Sequence, residues 1–366
     1  MLPIMAIDLD SWKDKQFSRR KFLKLLGAGS LALGLGFFGI SNVLKIIRKA
    51  SATTEAGPPV LHGPNNNIML GVFYYPWYGG KDNKEVPYRH WKDGGHNPPL
   101  NWNSRYLPNI SGSNVTDPAI RLYDSHDQTI VKRQMNLIKD AHINFVIWSW
   151  WGQNSFSDHS LTYFWKSGNN PSGLKHCIYY EKESLDNVPQ NDIISDINYI
   201  KSKYAGSSNY LEINNKPAVF VYNSTPDQFL TDPNYQINLS KKWRAVRRET
   251  NIYSILKVFR GWQDYKSNAN SWHQYAPSTP YAKVAGSYSS FVSPGWWSPT
   301  EDTPRLARDI TRFRDNIKTM KSDGCPLHTI QTWNEWTEGT GIEPATFTAT
   351  GQDHDNNYIN IIAKYF

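Results

Sequence analysis

Two glutamates three residues apart, Glu335 and Glu338, stand in the segment Trp333-Asn334-Glu335-Trp336-Thr337-Glu338-Gly339. A carboxyl pair can cleave a glycosidic bond when its two environments differ, one acid protonated to assist the leaving oxygen and the other ionised. Neighbouring indole rings would desolvate a carboxyl, and a second negative charge close by would further disfavour ionisation. The spacing alone usually marks a solvated helix face. The tryptophans around this pair make it a candidate for catalysis.

Other chemistries find less support. His90 and His96, with Asp93 between them, match no zinc spacing and read as loop histidines with local partners, so no metal is expected. Ser125-His126-Asp127 carries the letters of a catalytic triad, but adjacent residues cannot converge as one. Asp124 and Asp127 read as caps of the following helix, with a place facing the substrate as the alternative. No Gly-x-Gly-x-x-Gly follows the first strand, and no cofactor is expected. Cys177 and Cys325 are the only cysteines, too few for a disulfide scaffold, and read as free thiols.

The elements that must position the glutamates are short apolar runs alternating with longer helical patterns. The strand candidates are Met69–Tyr75, Asn144–Trp150, His176–Tyr180, Ala218–Tyr222, Ser254–Phe259, Trp272–Tyr275, Ala285–Ser290 and Leu327–Trp333. Several are continuous rather than alternating, as parallel strands covered on both faces require. Helical patterns fall at Ala119–Ala141, Asp192–Tyr204, Lys241–Thr250 and Thr303–Ser322. The expected fold is α/β, a single (β/α)8 TIM-type barrel over residues 68–366, with a doubly wound open sheet as the alternative.

In such a barrel the carboxyl ends of the strands line the active face. Read in order they carry Tyr75, Trp77, Trp150, Glu181, Tyr222, Tyr275 and Trp296, then the Asn334–Glu338 block. Flat rings beside amides, hydroxyls and carboxylates suit a sugar, which has C–H faces and hydroxyl edges. Any one of these rings alone would more simply pack the barrel rim. The repetition favours an oligo- or polysaccharide.

Charge is unevenly spread. The chain carries 40 Lys and Arg against 32 Asp and Glu, but residues 1–52 hold nine and three of these, leaving +2 for the other 314 residues. A body so close to neutral offers no basic surface to nucleic acid. Residues 1–52 read as an address: Arg19-Arg20 precede Phe22-Leu23, and residues 25–44 form an uncharged stretch diluted by five glycines. This resembles a twin-arginine export signal, and serves equally as a cleaved signal or a retained membrane anchor. Both place the body outside the cytoplasm, at the cell surface or beyond, with the twin-arginine machinery as a partner. Residues 53–67, rich in Ala, Gly, Pro, Asn and Thr, form a linker.

The body resembles glycoside hydrolase family 99, the endo-α-mannosidases and endo-α-mannanases. The likeness rests on Gly71-Val72-Phe73-Tyr74-Tyr75-Pro76-Trp77-Tyr78-Gly79, His90-Trp91, His96-Asn97-Pro98-Pro99, Tyr123-Asp124-Ser125-His126-Asp127, Gln134-Met135, Trp148-Ser149-Trp150, Tyr222, Pro294-Gly295-Trp296 and the Asn334–Glu343 block. It implies hydrolysis of internal α-mannosidic linkages with retention. It also implies that Glu335 acts as base toward the sugar 2-hydroxyl and Glu338 as general acid, then base for water. Tyr75, Trp77, His96, Asn97, Trp150 and Tyr275 would hold sugars, with Glu181, Tyr222, Trp296, Asn334 and Trp336 also at the site. The residues alone equally permit an ordinary carboxylate nucleophile, a non-catalytic glycan-binding barrel, or a polysaccharide-assembly protein. Tyr180 and Thr337 stand where the family pattern has histidines, which points to a different glycan rather than to different chemistry.

Overall fold

The structure is a computed structural model that describes residues 69–366 except 111–115, 185, 224, 226–230 and 355. The address segment 1–52 and the linker 53–67 lie outside the described residues. Among the described residues no helix is long and apolar enough to cross a membrane.

Eight parallel strands follow one another around a curled sheet in chain order. They are β1 (Met69–Tyr74), β3 (Phe145–Trp150), β4 (Lys175–Tyr180), β6 (Lys216–Val221), β7 (Tyr253–Lys257), β8 (Ser271–His273), β10 (Ser290–Val292) and β11 (Leu327–Ile330). The last strand pairs with the first, Val72 opposite Ile330, so the order returns on itself as in a TIM-type barrel. At the β8–β10 seam, Ser289 Oγ donates to the Trp272 carbonyl at 2.9 Å. The two-residue β5 (Glu212–Ile213) and β9 (Tyr281–Lys283) add antiparallel partners to β6 and β10.

Strand residues alternate between two buried layers. Inward, Phe73 meets Tyr179 at 4.8 Å and Phe220 meets His273 at 5.3 Å between ring centroids. Gly71 makes room for this filling: a Cβ there would sit 2.3 Å from the Phe145 ring. Outward, strand side chains meet the helices α1 (Pro118–Arg121), α2 (Gln128–Asp140), α3 (Phe156–Ser167), α4 (Gln190–Ile200), α5 (Tyr235–Thr250), α6 (Ile310–Ser322) and α7 (Asn357–Tyr365). Trp148, for example, donates through Nε1 to His176 Nδ1 at 3.0 Å and packs on Phe164 of α3.

Several boundaries differ from the sequence expectation. The helix expected at Ala119–Ala141 is two, α1 and α2, because Asp127 caps a new start by accepting from Thr129 N–H at 2.8 Å. The strand expected at Ala285–Ser290 lies later, at β10, because Gly286 and Ser287 take positive φ and turn the chain back from β9. α6 begins at Ile310, where Asp309 accepts from Arg312 N–H, well after Pro304. The pattern ascribed to Asp192–Tyr204 runs from Gln190 and ends in a π-turn over Lys201–Ala205. Unforeseen elements are α3, α7 and a small antiparallel sheet of β2 (Tyr106–Pro108), β12 (Ala345–Phe347) and β13 (Gln352–Asp353). Buried Arg121 ties β2 to its surroundings, donating to the carbonyls of Leu107 and Pro108 at 2.7 Å each. Cys177 and Cys325 are buried free thiols.

Candidate active site

The loop after β11 is a tight return held at both of its legs. Trp333 N–H donates to Phe73 O at 2.7 Å, prolonging the β1–β11 pairing, and Glu343 N–H donates back to Trp333 O at 3.0 Å. Thr332 and Thr340 close the neck, the former donating its N–H to the latter's carbonyl at 3.0 Å. Inside the return, Glu335 N–H donates to Thr332 Oγ1 at 2.9 Å, and the Glu338 carbonyl accepts from Trp297 N–H at 2.8 Å. Gly339 takes φ +62°, and a Cβ there would lie 3.0 Å from the Trp297 carbonyl oxygen and the Tyr106 ring. Arg308 donates to the Gly339 carbonyl at 2.9 Å and to that of Gly341 at 2.5 Å. Both glutamates are therefore carried on backbone fixed from several sides, and each keeps only 3% of its surface exposed. A buried carboxyl feels neighbouring charges and dipoles more strongly than one in water.

Behind the loop, Asn334 and Trp336 are wholly buried. Tyr78 Oη donates to the Asn334 carbonyl and accepts from Trp336 N–H, both at 3.0 Å. Tyr123 Oη accepts from Asn334 Nδ2 at 3.0 Å and from Trp336 Nε1 at 3.2 Å. These two residues frame the loop rather than face a sugar.

In front of it stands a ring of strand-end side chains. Tyr75 Oη donates to Tyr275 Oη at 2.8 Å, joining the ends of β1 and β8. Tyr222 packs against Tyr275 at 6.1 Å, and the Lys257 ammonium sits 4.1 Å from the Tyr222 ring centre. Glu181, fully buried, accepts from Ser149 Oγ at 2.6 Å, and Ser149 Oγ accepts from Trp151 Nε1 at 2.9 Å. Trp77 lies 4.5 Å from both the Tyr75 and His90 rings. Tyr222, Tyr275 and Trp77 keep exposures of 2%, 5% and 7%, so only small parts of these rings reach solvent.

Four residues expected at the site have other surroundings. Trp150 points outward: its Nε1 donates to Asp158 Oδ1 of α3 at 2.9 Å, and its ring contacts Tyr199 of α4. Strand parity is the cause, since Ser149 takes the inward position beside Glu181. His96 and Asn97 sit in the outer loop, one half-buried with Nδ1 on the Asp93 carbonyl at 2.7 Å, the other exposed. Trp296, 5% exposed, exchanges backbone hydrogen bonds with Leu306 and carries the Arg305 guanidinium on its ring at 4.5 Å.

Ser149, Trp151, Lys257, Tyr123 and Glu343, to which the sequence assigned no role, also belong to this region. Ser149 and Trp151 flank Trp150 in the chain, and strand alternation turns them inward because Trp150 points outward. Burial pushes the Glu343 carboxyl up to about 7, against hydrogen bonds from Gln134 and Tyr123 and the charge of Arg133. His273, buried beneath Tyr179 and near Lys257, is pushed down to about 3 and is neutral. Ser125 and Asp127 point to separate tasks: Ser125 Oγ accepts from Tyr78 N–H at 3.1 Å and Asp127 caps α2. His90 Nδ1 pairs with Asp93 at 3.0 Å. Among the described residues no group of three or more His, Cys, Asp or Glu is placed to hold a metal ion.

Residues 65–243 match the family model described as glycosyl hydrolase family 99. A glycoprotein endo-alpha-1,2-mannosidase of Mus musculus is 23% identical over 202 residues, 48% of this chain and 40% of that protein. The match thus spans less than half of the mouse protein's length. Among solved structures, a GH99 endo-alpha-mannosidase from Bacteroides thetaiotaomicron superposes with a TM-score of 0.63 at 18% identity, covering 81% of this chain and 96% of that one. The complex of that protein with bis-tris propane gives 0.62, with 81% and 95% covered at the same identity. At these identities the likeness is one of fold.

Proposed function

From the match of residues 65–243 to glycosyl hydrolase family 99, we propose that the chain is an exported endo-acting glycosidase cleaving internal α-mannosidic linkages with retention. The observation that carries this reading is the pair Glu335 and Glu338 on one doubly anchored loop at the strand ends, beside the Tyr75–Tyr275 contact. Glu335 acts as base toward the 2-hydroxyl of the sugar whose bond is cut. Its oxygen takes the hydroxyl proton as O2 closes onto the anomeric carbon, while Glu338 gives a proton to the departing glycosidic oxygen. Water then opens the 1,2-anhydro sugar at the anomeric carbon, losing a proton to Glu338 as O2 regains one from Glu335. Two inversions at one carbon give net retention.

Tyr75, Tyr275, Tyr222 and Trp77 supply hydroxyls and ring faces to the sugar on either side of the cut. Two intact carboxyl groups on a fixed loop favour an enzyme over a barrel that only binds glycans. Incubating the full chain with a panel of α-mannans and other α-linked polymers tests the reading. Internal cleavage of a mannan with an α-configured product at first release supports it, and intact polymers throughout the panel would falsify it.

Export rests on the address in residues 1–52. Arg19→Lys combined with Arg20→Lys strands the protein in the cytoplasm if the twin-arginine route carries it. Undiminished export of that double variant assigns it to the general secretory route instead.

A further inference from the structure

One buried chain of hydrogen bonds converges on Glu343. Tyr74 Oη donates to Gln134 Oε1 at 2.6 Å, and Gln134 Nε2 donates to Glu343 Oε1 at 2.8 Å. From the other side Tyr123 Oη meets Glu343 Oε2 at 3.1 Å. The direction of that last bond is fixed by its neighbours. Trp336 Nε1 can only donate, and Asn334 must present Nδ2 because its Oδ1 accepts from Tyr75 N–H at 2.8 Å. Both therefore donate into the Tyr123 oxygen, and its one proton is left for Glu343. None of these six side chains, from Tyr74 to Trp336, belongs to a residue more than 3% exposed.

We propose that Glu343 is a positioning residue of the active site: acting through Tyr123, it fixes Asn334 and Trp336, the two sequence neighbours of Glu335, and so sets where the Glu335 carboxyl points. Its consequence for turnover rests on the hydrolase reading, whereas the coupling itself does not. The groups facing Glu343 are Arg133 and Gln134 from α2, Tyr74 from β1 and Tyr123 from the loop before α2. Burial raises the carboxyl, and the hydrogen bonds from Gln134 and Tyr123 together with the charge of Arg133 offset only part of that rise. A glutamine at this position keeps a carbonyl that can accept from Tyr123. The Gln134 amide can turn over to meet its NH2, since Tyr74 Oη accepts as well as donates. A leucine keeps the bulk and removes both acceptors.

The test uses the full chain labelled with 15N at its tryptophan indoles, the Trp336 signal being the one lost in Trp336→Phe. Tyr123→Phe and Glu343→Leu are expected to shift that signal, and Glu343→Gln to leave it within a third of that displacement. On a mannan that the unmodified chain cleaves, kcat is expected to fall at least tenfold in Tyr123→Phe and Glu343→Leu, with KM within threefold. Glu343→Gln is expected to stay within threefold in both. An unmoved Trp336 signal in Glu343→Leu, or a Glu343→Gln variant as slow as Glu343→Leu, overturns the inference. Should Glu343→Leu fail to fold, Tyr123→Phe removes one oxygen and no charge; an unmoved signal there overturns it as well. If the unmodified chain cleaves no glycan, the hydrolase reading fails while the Trp336 signal still decides the coupling.

Discussion

Asn334 is paired to Tyr75 as though its side chain were a strand: Oδ1 accepts the Tyr75 N–H at 2.8 Å and Nδ2 donates to the Tyr75 carbonyl at 3.0 Å. The residue before Glu335 thereby continues the β1–β11 pairing beyond the last backbone bond, Trp333 N–H to Phe73 O. Replacing it with alanine orphans a buried N–H and a buried carbonyl, each costing about 1–3 kcal/mol when left unmet. Asn334→Ala is expected to lower Tm and to reduce kcat on a cleaved glycan by at least tenfold. Full activity in a folded Asn334→Ala protein would show that the Tyr75 clamp does not hold the loop.

The two glutamates should separate by their response to the leaving group. General acid catalysis contributes roughly 10²–10⁴ in rate, so Glu338→Gln is expected to lose that much on mannan while still binding it. An aryl glycoside with an acidic phenol needs no protonation to depart, and its first step should return toward the unmodified rate in Glu338→Gln. Glu335→Gln should stay slow on both substrates, because the proposed mechanism activates the 2-hydroxyl whatever leaves. Equal rescue of the two variants would reverse or dissolve these roles.

Much of the barrel was legible because its strands are unbroken apolar runs such as Met69–Tyr74 and Phe145–Trp150, buried on both faces. The site loop was legible for a related reason, since its glutamates and tryptophans are contiguous. Parity was not: three aromatic residues in Trp148-Ser149-Trp150-Trp151 gave no sign that the lone serine faces inward to Glu181. Neither was the support behind the loop, where Tyr123 and Glu343 meet across 220 positions of sequence. α3 escaped notice because its buried face includes Ser157, Asp158 and Ser160, which break the apolar period. Asp158 tolerates that burial by accepting from Trp150, Tyr199, Tyr204 and Lys203.

Glu183 gives the fold a pH dependence of definite sign. Burial, with Glu181 close by, raises its carboxyl from 4.5 to about 8, although N–H groups including that of Asn223 pull the other way. Between those values the folded chain holds a proton that the unfolded chain has released, so stability falls as pH rises through the window. Glu343, raised to about 7, acts in the same direction over a narrower range. A glutamine at 183 keeps the acceptor for Asn223 N–H, at 3.1 Å, and has no charge to bury. In thermal denaturation from pH 5 to pH 8, the Tm of the unmodified chain is expected to fall relative to that of Glu183→Gln as pH rises. Buried neutral histidines such as His273 give both proteins the same opposing slope. An identical slope in both proteins would mean that Glu183 is ionised in the fold throughout.

Trp150 and Trp77 are both strand-end tryptophans, and the structure gives them opposite fates. Trp150 belongs to the layer between β3 and the helices, where its indole N–H is one of the donors that satisfy Asp158. Trp77 stands at the mouth, 4.5 Å from the Tyr75 ring and retaining 7% exposure. Trp150→Phe removes a hydrogen bond to a buried carboxylate and is expected to cost about 1.5–3 kcal/mol of stability, with KM for glycan unchanged. Trp77→Ala is expected to raise KM about tenfold, the loss of one ring–sugar contact worth about 1.4 kcal/mol, with a smaller change in Tm. Measuring Tm and KM for both variants sets the two layers apart. A raised KM in Trp150→Phe would place that ring against the sugar after all, and the inward assignment of Ser149 would fall with it.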